Sequence, residues 1–331
     1  MFKRFLGGFL LVCAAPLSQA AEGVRYIDRP EVQEFMREQA AQGGYDLEAL
    51  RRIFAKAQYQ DSIIQSMTRP AEAKPWHRYR EIFLTEERIR GGQAFWTTHA
   101  SLLADLERQY GVPASILVAI VGVETKYGAN TGRYDVLDAL CTLGFDYPPR
   151  ANFFRGELGK FLKLAAAENL DAAELKGSYA GAMGMPQFIP SSYLAYAVDG
   201  DGDGRRDLWS SVPDVLASVA NYFTRHGWRP DEPVAARAYP GSASVEAYLN
   251  KARDLKPKST VGELRRQGVR IDAPFEADES SMLFTLEQPD GLDYWVGLNN
   301  FYVITRYNHS VLYAMAVWQL AQAIERERAG A

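Results

Sequence analysis

The chain has 331 residues, is 47% hydrophobic and carries a formal net charge of −4. An acidic chain with no basic tract is a poor match for nucleic acid or an anionic membrane surface, which excludes both as partners. There are two cysteines, Cys13 and Cys141, and enough apolar residues for a core shared by more than one domain.

The first element is MFKRFLGGFLLVCAAPLSQA. Lys3 and Arg4 precede a short apolar run over 5–12, and Ser18-Gln19-Ala20 supplies a small-residue cleavage site, which predicts an export signal over 1–20. The run is far shorter than the roughly 20 residues that span a bilayer. An alternative cut before Cys13 would leave a lipid anchor there. Cleavage near Ala21 leaves Cys141 alone, so no intrachain disulfide can form. The expectation is a monomer exported to a bacterial periplasm and held by its core.

Residues 31–110 read as helical. Leu47, Leu50, Ile53, Phe54 and Ala57 share one helical face, with Asp46 placed as N-cap. Thr85-Glu86-Glu87 opens a further helix running to Tyr110, before Gly111 stops it. Pro113 suits the first position of a helix to Lys126. Ile116, Leu117, Val118, Ile120, Val121 and Val123 leave that helix no polar face, so it should be buried all round.

From 135 to 228 helical patterns alternate with glycine-rich turns, beginning with a helix over 135–143 capped by Asp135. Beyond it, 233–239 and 281–287 read as strands, 245–254 and 261–267 as short helices, and 311–328 as a final helix. The expected organisation is a helical domain (21–110) joined by the C-terminal helix (308–331), a core (111–228), and a small α+β subdomain (229–307). The fold class is α+β and mainly α-helical.

Three stretches bear on chemistry. In GVETKYG (122–128), Glu124 closes the apolar helix. Burial and the negative end of the helix dipole both disfavour its charged form, which suits a general acid. The plain alternative is a solvated helix end beside Lys126. In KGSYAGAMGMPQFIPSSY (176–193), Gly177, Gly181 and Gly184 allow close backbone approach, while Ser178, Tyr179 and Gln187 offer neutral groups suited to sugar. No Gly-Lys-Ser/Thr follows, so a phosphate loop is not supported, and the plain alternative is a packed turn. The third is VDGDGDGRRD (198–207), which has the spacing of an EF-hand loop. Asp199, Asp201 and Asp203 take positions one, three and five, Gly204 the sharp turn, and Arg205 the carbonyl position. Helical patterns at 191–197 and 213–226 flank it, Asp207 can act through water, and the last position is Ser210 rather than glutamate. A structural Ca2+ is expected, against the alternative of a solvated turn. The four histidines show no metal spacing.

GVETKYG, ALCTLGFDYPPR (139–150), KGSYAGAMGMPQFIPSSY, SVANYFTRHGW (218–228) and YWVGLNNFYVITRYNHSVLYAMA (294–316) together resemble the lytic murein transglycosylase B family. The resemblance covers nearly the whole chain beyond the export signal, in order. It implies a lysozyme-like core, peptidoglycan glycan strands as substrate, and cell-wall synthesis proteins as partners to consider. The bond cut would be the β-1,4 link between N-acetylmuramic acid and N-acetylglucosamine, leaving a 1,6-anhydromuramoyl end. Carried over by motif, Glu124 is the catalytic acid. Tyr79, Arg150, Ser178, Gln187, Tyr222 and Tyr307 are the substrate contacts, and Asp214 is the last calcium ligand. Without the resemblance, the three tyrosines read as core residues. Pro149 departs from relatives that carry arginine there.

One glutamate can suffice if the substrate supplies the second group, as in substrate-assisted glycosidases. The muramic acetamido oxygen would attack the anomeric carbon while Glu124 protonates the leaving oxygen. Glu124 would then take the proton of the C6 hydroxyl as the anhydro ring closes. Asp135, Asp138 and Asp146 are the nearest downstream acids. Two rivals remain: a muramidase that uses water, and a non-catalytic wall-binding protein, against which an acid on a buried helix argues.

Overall fold

The computed structural model describes residues 25–68, 74–241, 244–250 and 254–329. The expected export signal and Cys13 lie outside them. Among the described residues no helix is long and apolar enough to cross a membrane.

Helices α1 (Pro30–Gln42), α2 (Leu47–Phe54) and α3 (Asp61–Met67) open the chain. The Asp46 carboxylate caps α2 by accepting from Ala49 N at 2.6 Å, as the sequence predicts. Next come α4 (Trp76–Phe83), α5 (Glu86–Thr98), α6 (Ala100–Tyr110) and α7 (Ala114–Thr125). The single helix expected over 85–110 bends at His99. Thr97 and Thr98 turn their hydroxyls back onto Gln93 O and Ala94 O, which disturbs the helical ladder there. Pro113 sits one place outside α7, as its N-cap.

Strand β1 (Tyr134–Asp135) pairs with β2 (Lys176–Gly177), and between them lie α8 (Val136–Phe145) and α9 (Ala151–Ala167). Asp135 holds the N-cap position of α8 without capping it, because its carboxylate takes Lys176 Nζ at 2.7 Å instead. Helices α10 (Pro190–Tyr196) and α11 (Val212–Arg225) follow. The opening helices dock on α8 through Arg29 Nη1 to Asp146 Oδ1 at 2.9 Å and Tyr26 OH to Asp146 Oδ2 at 2.5 Å.

Five antiparallel strands follow: β3 (Ala235–Tyr239), β4 (Ser259–Thr260), β5 (Arg270–Ile271), β6 (Ser280–Gln288) and β7 (Gly291–Gly297), in the spatial order β4-β6-β7-β3-β5. Helix α12 (Val261–Arg266) opens with a capping box between Thr260 and Glu263. Alternation along β6 divides two cores: Met282, Phe284 and Leu286 join the helical core, while Leu283 joins Val261, Leu264 and Val296. The helix expected at 245–254 is not formed in its described part. That segment bridges β6 instead, with Asn250 N bonded to Leu283 O at 2.7 Å. The aromatic stretch 294–306 divides between β7 and α13 (Asn299–Tyr307). The last helix, α14 (Val311–Ala329), returns to pack on α4, α5, α7 and α13. That return carries the end of the chain to the helix bearing Glu124.

Candidate active site

Helix α7 is buried at every position except Glu124, which is partly open. The chain then turns through left-handed conformations at Lys126 (φ 50°), Tyr127 (φ 61°) and Gly128 (φ 88°). Two consecutive non-glycine residues there cost on the order of 1–3 kcal/mol each. Packing offsets this: the Tyr127 side chain fills a slot left by Gly91, Gly92 and Gly122, where an added Cβ would meet its Cε2 at 2.8 Å and its hydroxyl oxygen at 2.7 and 2.6 Å. Tyr127 OH also donates to Arg88 O at 2.6 Å. Thr125, 1% exposed, shares its hydroxyl proton between Val121 O (3.2 Å) and Met185 O (3.0 Å) and accepts from Gly128 N (3.1 Å). The end of α7 is thereby pinned to the glycine-rich segment after β2.

On the open side, Tyr313 of α14 donates its hydroxyl to Glu124 Oε1 at 2.5 Å. Behind it runs a column of rings. Tyr313 stacks on Tyr307 at 6.4 Å and 8°, Tyr307 meets Tyr222 at 4.8 Å, and Tyr222 stacks on His226 at 4.0 Å. Burial first, and the Glu124 charge second, push the hydroxyls of Tyr307 and Tyr313 well above the usual phenol range, so both stay protonated donors.

The expected contacts distribute unevenly. Ser178 Oγ accepts from Ala180 N (3.2 Å) and Ala182 N (3.1 Å), which leaves its O–H as the group to offer. Gln187, strained at φ 51°, donates Nε2 to Thr131 O (3.0 Å) and Gly184 O (2.9 Å), which leaves Oε1 to accept. Arg150 is exposed, its guanidinium 4.5 Å from the Phe153 ring. The tyrosines are less open than stacking platforms need to be. Tyr79 is 2% and Tyr222 7% exposed, and Phe223 and Tyr313 stack against Tyr307. The Tyr222 and Tyr307 hydroxyls are spent on Arg306 O (2.5 Å) and Pro186 O (2.7 Å). Tyr222, buried, and Tyr307, half-buried, thus pack behind Tyr313.

The acids after Glu124 are committed elsewhere. Asp135 pairs with Lys176, Asp146 with Arg29, and Asp138, 5% exposed, accepts from Gln58 N (2.8 Å) and Gln60 Nε2 (3.1 Å). Tyr313, Thr125 and Arg88 escaped the sequence reading. Tyr313 lies inside the 294–316 stretch, yet it meets Glu124 across 189 residues, a separation that no local pattern encodes.

In the acidic loop, one carboxylate oxygen from each of Asp199, Asp201 and Asp203 lies within 4.8 Å of the others. Asp199 also accepts from Gly202 N at 2.7 Å and Gly204 N at 2.8 Å, and Gly204 turns at φ 88°. Three converging carboxylates repel one another unless a cation joins them, and an all-oxygen set fits Ca2+. Asp214, 1% exposed, accepts from Gly200 N and Asp207 N, both at 2.7 Å, and feels the charge of Asp201. It ties the loop's two ends to α11.

The model of the transglycosylase SLT domain matches residues 28–322. The membrane-bound lytic murein transglycosylase B of Escherichia coli (strain K12) is 41% identical over 332 residues, covering 97% of this chain and 90% of its own. A catenated lytic transglycosylase SltB1 from Pseudomonas aeruginosa superposes with a TM-score of 0.86 at 49% identity, covering 92% of this chain and 99% of that one. The Escherichia coli Slt35 complex with calcium gives 0.82 at 41% identity, over 91% and 95%. SltB3 of Pseudomonas aeruginosa in complex with NAG-anhNAM-pentapeptide gives 0.78 at 33%, over 89% and 79%.

Proposed function

The chain belongs to the lytic murein transglycosylase B family, enzymes that act on peptidoglycan, and we propose that Glu124 is its single acid and base. The observation that carries this reading is the Tyr313–Glu124 bond at the one open position of α7, with the neighbouring acids held in structural pairs. With Asp135, Asp138 and Asp146 held in structural pairs, the muramic acetamido oxygen is the nucleophile. Ser178 O–H and Gln187 Oε1 present a donor and an acceptor, which matches the C=O and N–H of an acetamido group. Glu124 protonates the leaving oxygen and then takes the C6 hydroxyl proton, giving the 1,6-anhydro end. Tyr313 steadies Glu124 as a carboxylate between the two steps. Glycan strands whose muramic residues carry a free amine in place of the acetamide test this directly: they should bind and stay uncut. Cleavage at the normal rate would remove substrate assistance.

Tyr313→Phe removes one hydrogen bond to a charged group, worth about 1.5–3 kcal/mol. Steady-state kinetics should show kcat down about tenfold to a hundredfold with KM little changed. Wild-type kcat would show that the bond is idle.

We also propose that Asp199, Asp201, Asp203, the Arg205 carbonyl and Asp214 bind a structural Ca2+, the Asp214 carboxylate keeping lone pairs free beside its two backbone amides. The reading rests on the converging carboxylates and on the calcium complex of Slt35. A cation that binds only the folded chain raises its melting temperature, by about 2.7 kcal/mol of stability at a hundredfold excess over Kd. Calcium should therefore raise the melting temperature of metal-free protein, magnesium should do so poorly, and Asp201→Ala should lose the gain. Identical melting curves with calcium and with chelator would refute the site. The domain limits 21–110, 111–228 and 229–307 are retained as the proposed division.

A further inference from the structure

We propose that Arg88 is a positioning residue for Glu124, tying the helix that carries the acid to the helix that carries Tyr79. This rests on Glu124 being the acid.

Arg88 lies in the first turn of α5 yet is 8% exposed. Its Nη1 donates to Gly122 O and reaches Val123 O at 3.4 Å, the two carbonyls just before Glu124 in the last turn of α7. Its Nη2 reaches Ile82 O at 3.3 Å, in the last turn of α4. Gly122 O also accepts from Lys126 N at 3.2 Å, so the guanidinium adds a second donor there, and one planar fork serves two helix ends together. The turn after Glu124 closes the arrangement, since Tyr127 OH donates to the Arg88 carbonyl at 2.6 Å.

For stability alone the arrangement is expensive. Arg88 Nε is buried with no hydrogen-bond partner among the described residues, and burial pulls the guanidinium pKa below its usual value. The Phe83 ring, 5.3 Å from Cζ, is an apolar neighbour that methionine would suit as well. Methionine would remove the charge but leave the Gly122, Val123 and Ile82 carbonyls without this donor, so some loss of stability is expected. What methionine cannot supply is a rigid link between α4 and α7. A cation behind the carbonyl end of α7 also opposes the dipole that disfavours the Glu124 carboxylate, which helps the group return to its anionic form for the second proton transfer.

The test compares Arg88→Met, Arg88→Lys and Glu124→Gln on purified murein strands, measuring melting temperature, kcat and KM for each. Among folded molecules, Arg88→Met should keep KM and lose kcat about a hundredfold, the scale of an ångström-level misplacement, a loss larger than its fall in melting temperature explains. Arg88→Lys should remain impaired, because one ammonium cannot reach both helix ends. Wild-type kcat in folded Arg88→Met overturns the proposal, as does a loss that matches the unfolded fraction. If Arg88→Met does not fold, full kcat in folded Arg88→Lys overturns it and a reduced kcat at unchanged melting temperature supports it. Activity retained by Glu124→Gln would instead defeat the acid assignment itself.

Discussion

Glu124→Gln is expected to bind glycan strands with near-normal affinity and to release no anhydromuropeptide. The amide keeps the shape and one acceptor oxygen for Tyr313, so the 2.5 Å contact and the fold survive. It carries no proton to give and cannot take one from the C6 hydroxyl, so both halves of the reaction fail together. Losing a general acid alone costs about 10²–10⁴-fold. A residue that serves twice should lie beyond that range, at the background of the assay. Binding by isothermal calorimetry and product by mass spectrometry separate the two effects. Turnover like wild type would end the assignment, and loss of binding would make Glu124 a substrate anchor instead.

The largest effect on stability should come from Gly132→Ala. Gly132 lies in the loop between α7 and β1 at φ 100°, a conformation that L side chains rarely adopt. An added Cβ would stand 2.0 Å from Gly177 O and 2.6 Å from Ser178 N. Neither is a flexible side chain that can swing away. Both are backbone atoms where β2 runs out into Ser178. The substitution should cost at least about 3 kcal/mol, combining backbone strain with overpacking. It should also lower kcat per folded molecule, because the strand relieves the clash only by moving Ser178. An unchanged melting temperature would show that the two loops are not so closely apposed.

The architecture was legible wherever one segment alone held the information. The all-apolar run 114–123 announced a buried helix, and glutamate at its end announced the exception. Asp46, Thr85 and Gly111 marked helix limits because caps act within a turn. The misreadings came where tertiary contacts overrode local preference. Asp135 had the position of a cap but found Lys176, a stronger partner. The segment after Val245 has the residues of a helix, yet it completes the edge of β6. The site divided in the same way. Glu124, Ser178 and Gln187 sit in motifs that can be read along the chain. Tyr313 and Arg88 reach Glu124 or its helix from α14 and α5, and only the folded chain shows why a tyrosine and an arginine stand there. Tyr222 and Tyr307 were in the motifs too, and their rings pack on His226 and Phe223, in line with the reading of these residues as core.

The fate of water tests the central claim most directly. Murein strands digested by the wild-type chain in water enriched in heavy oxygen should give a muramoyl product one water lighter than a hydrolytic fragment. That product should carry no heavy oxygen, because the C6 hydroxyl closes the ring. A product of full hydrolytic mass with heavy oxygen at its anomeric carbon would contradict the account and make the chain a muramidase that activates water at Glu124.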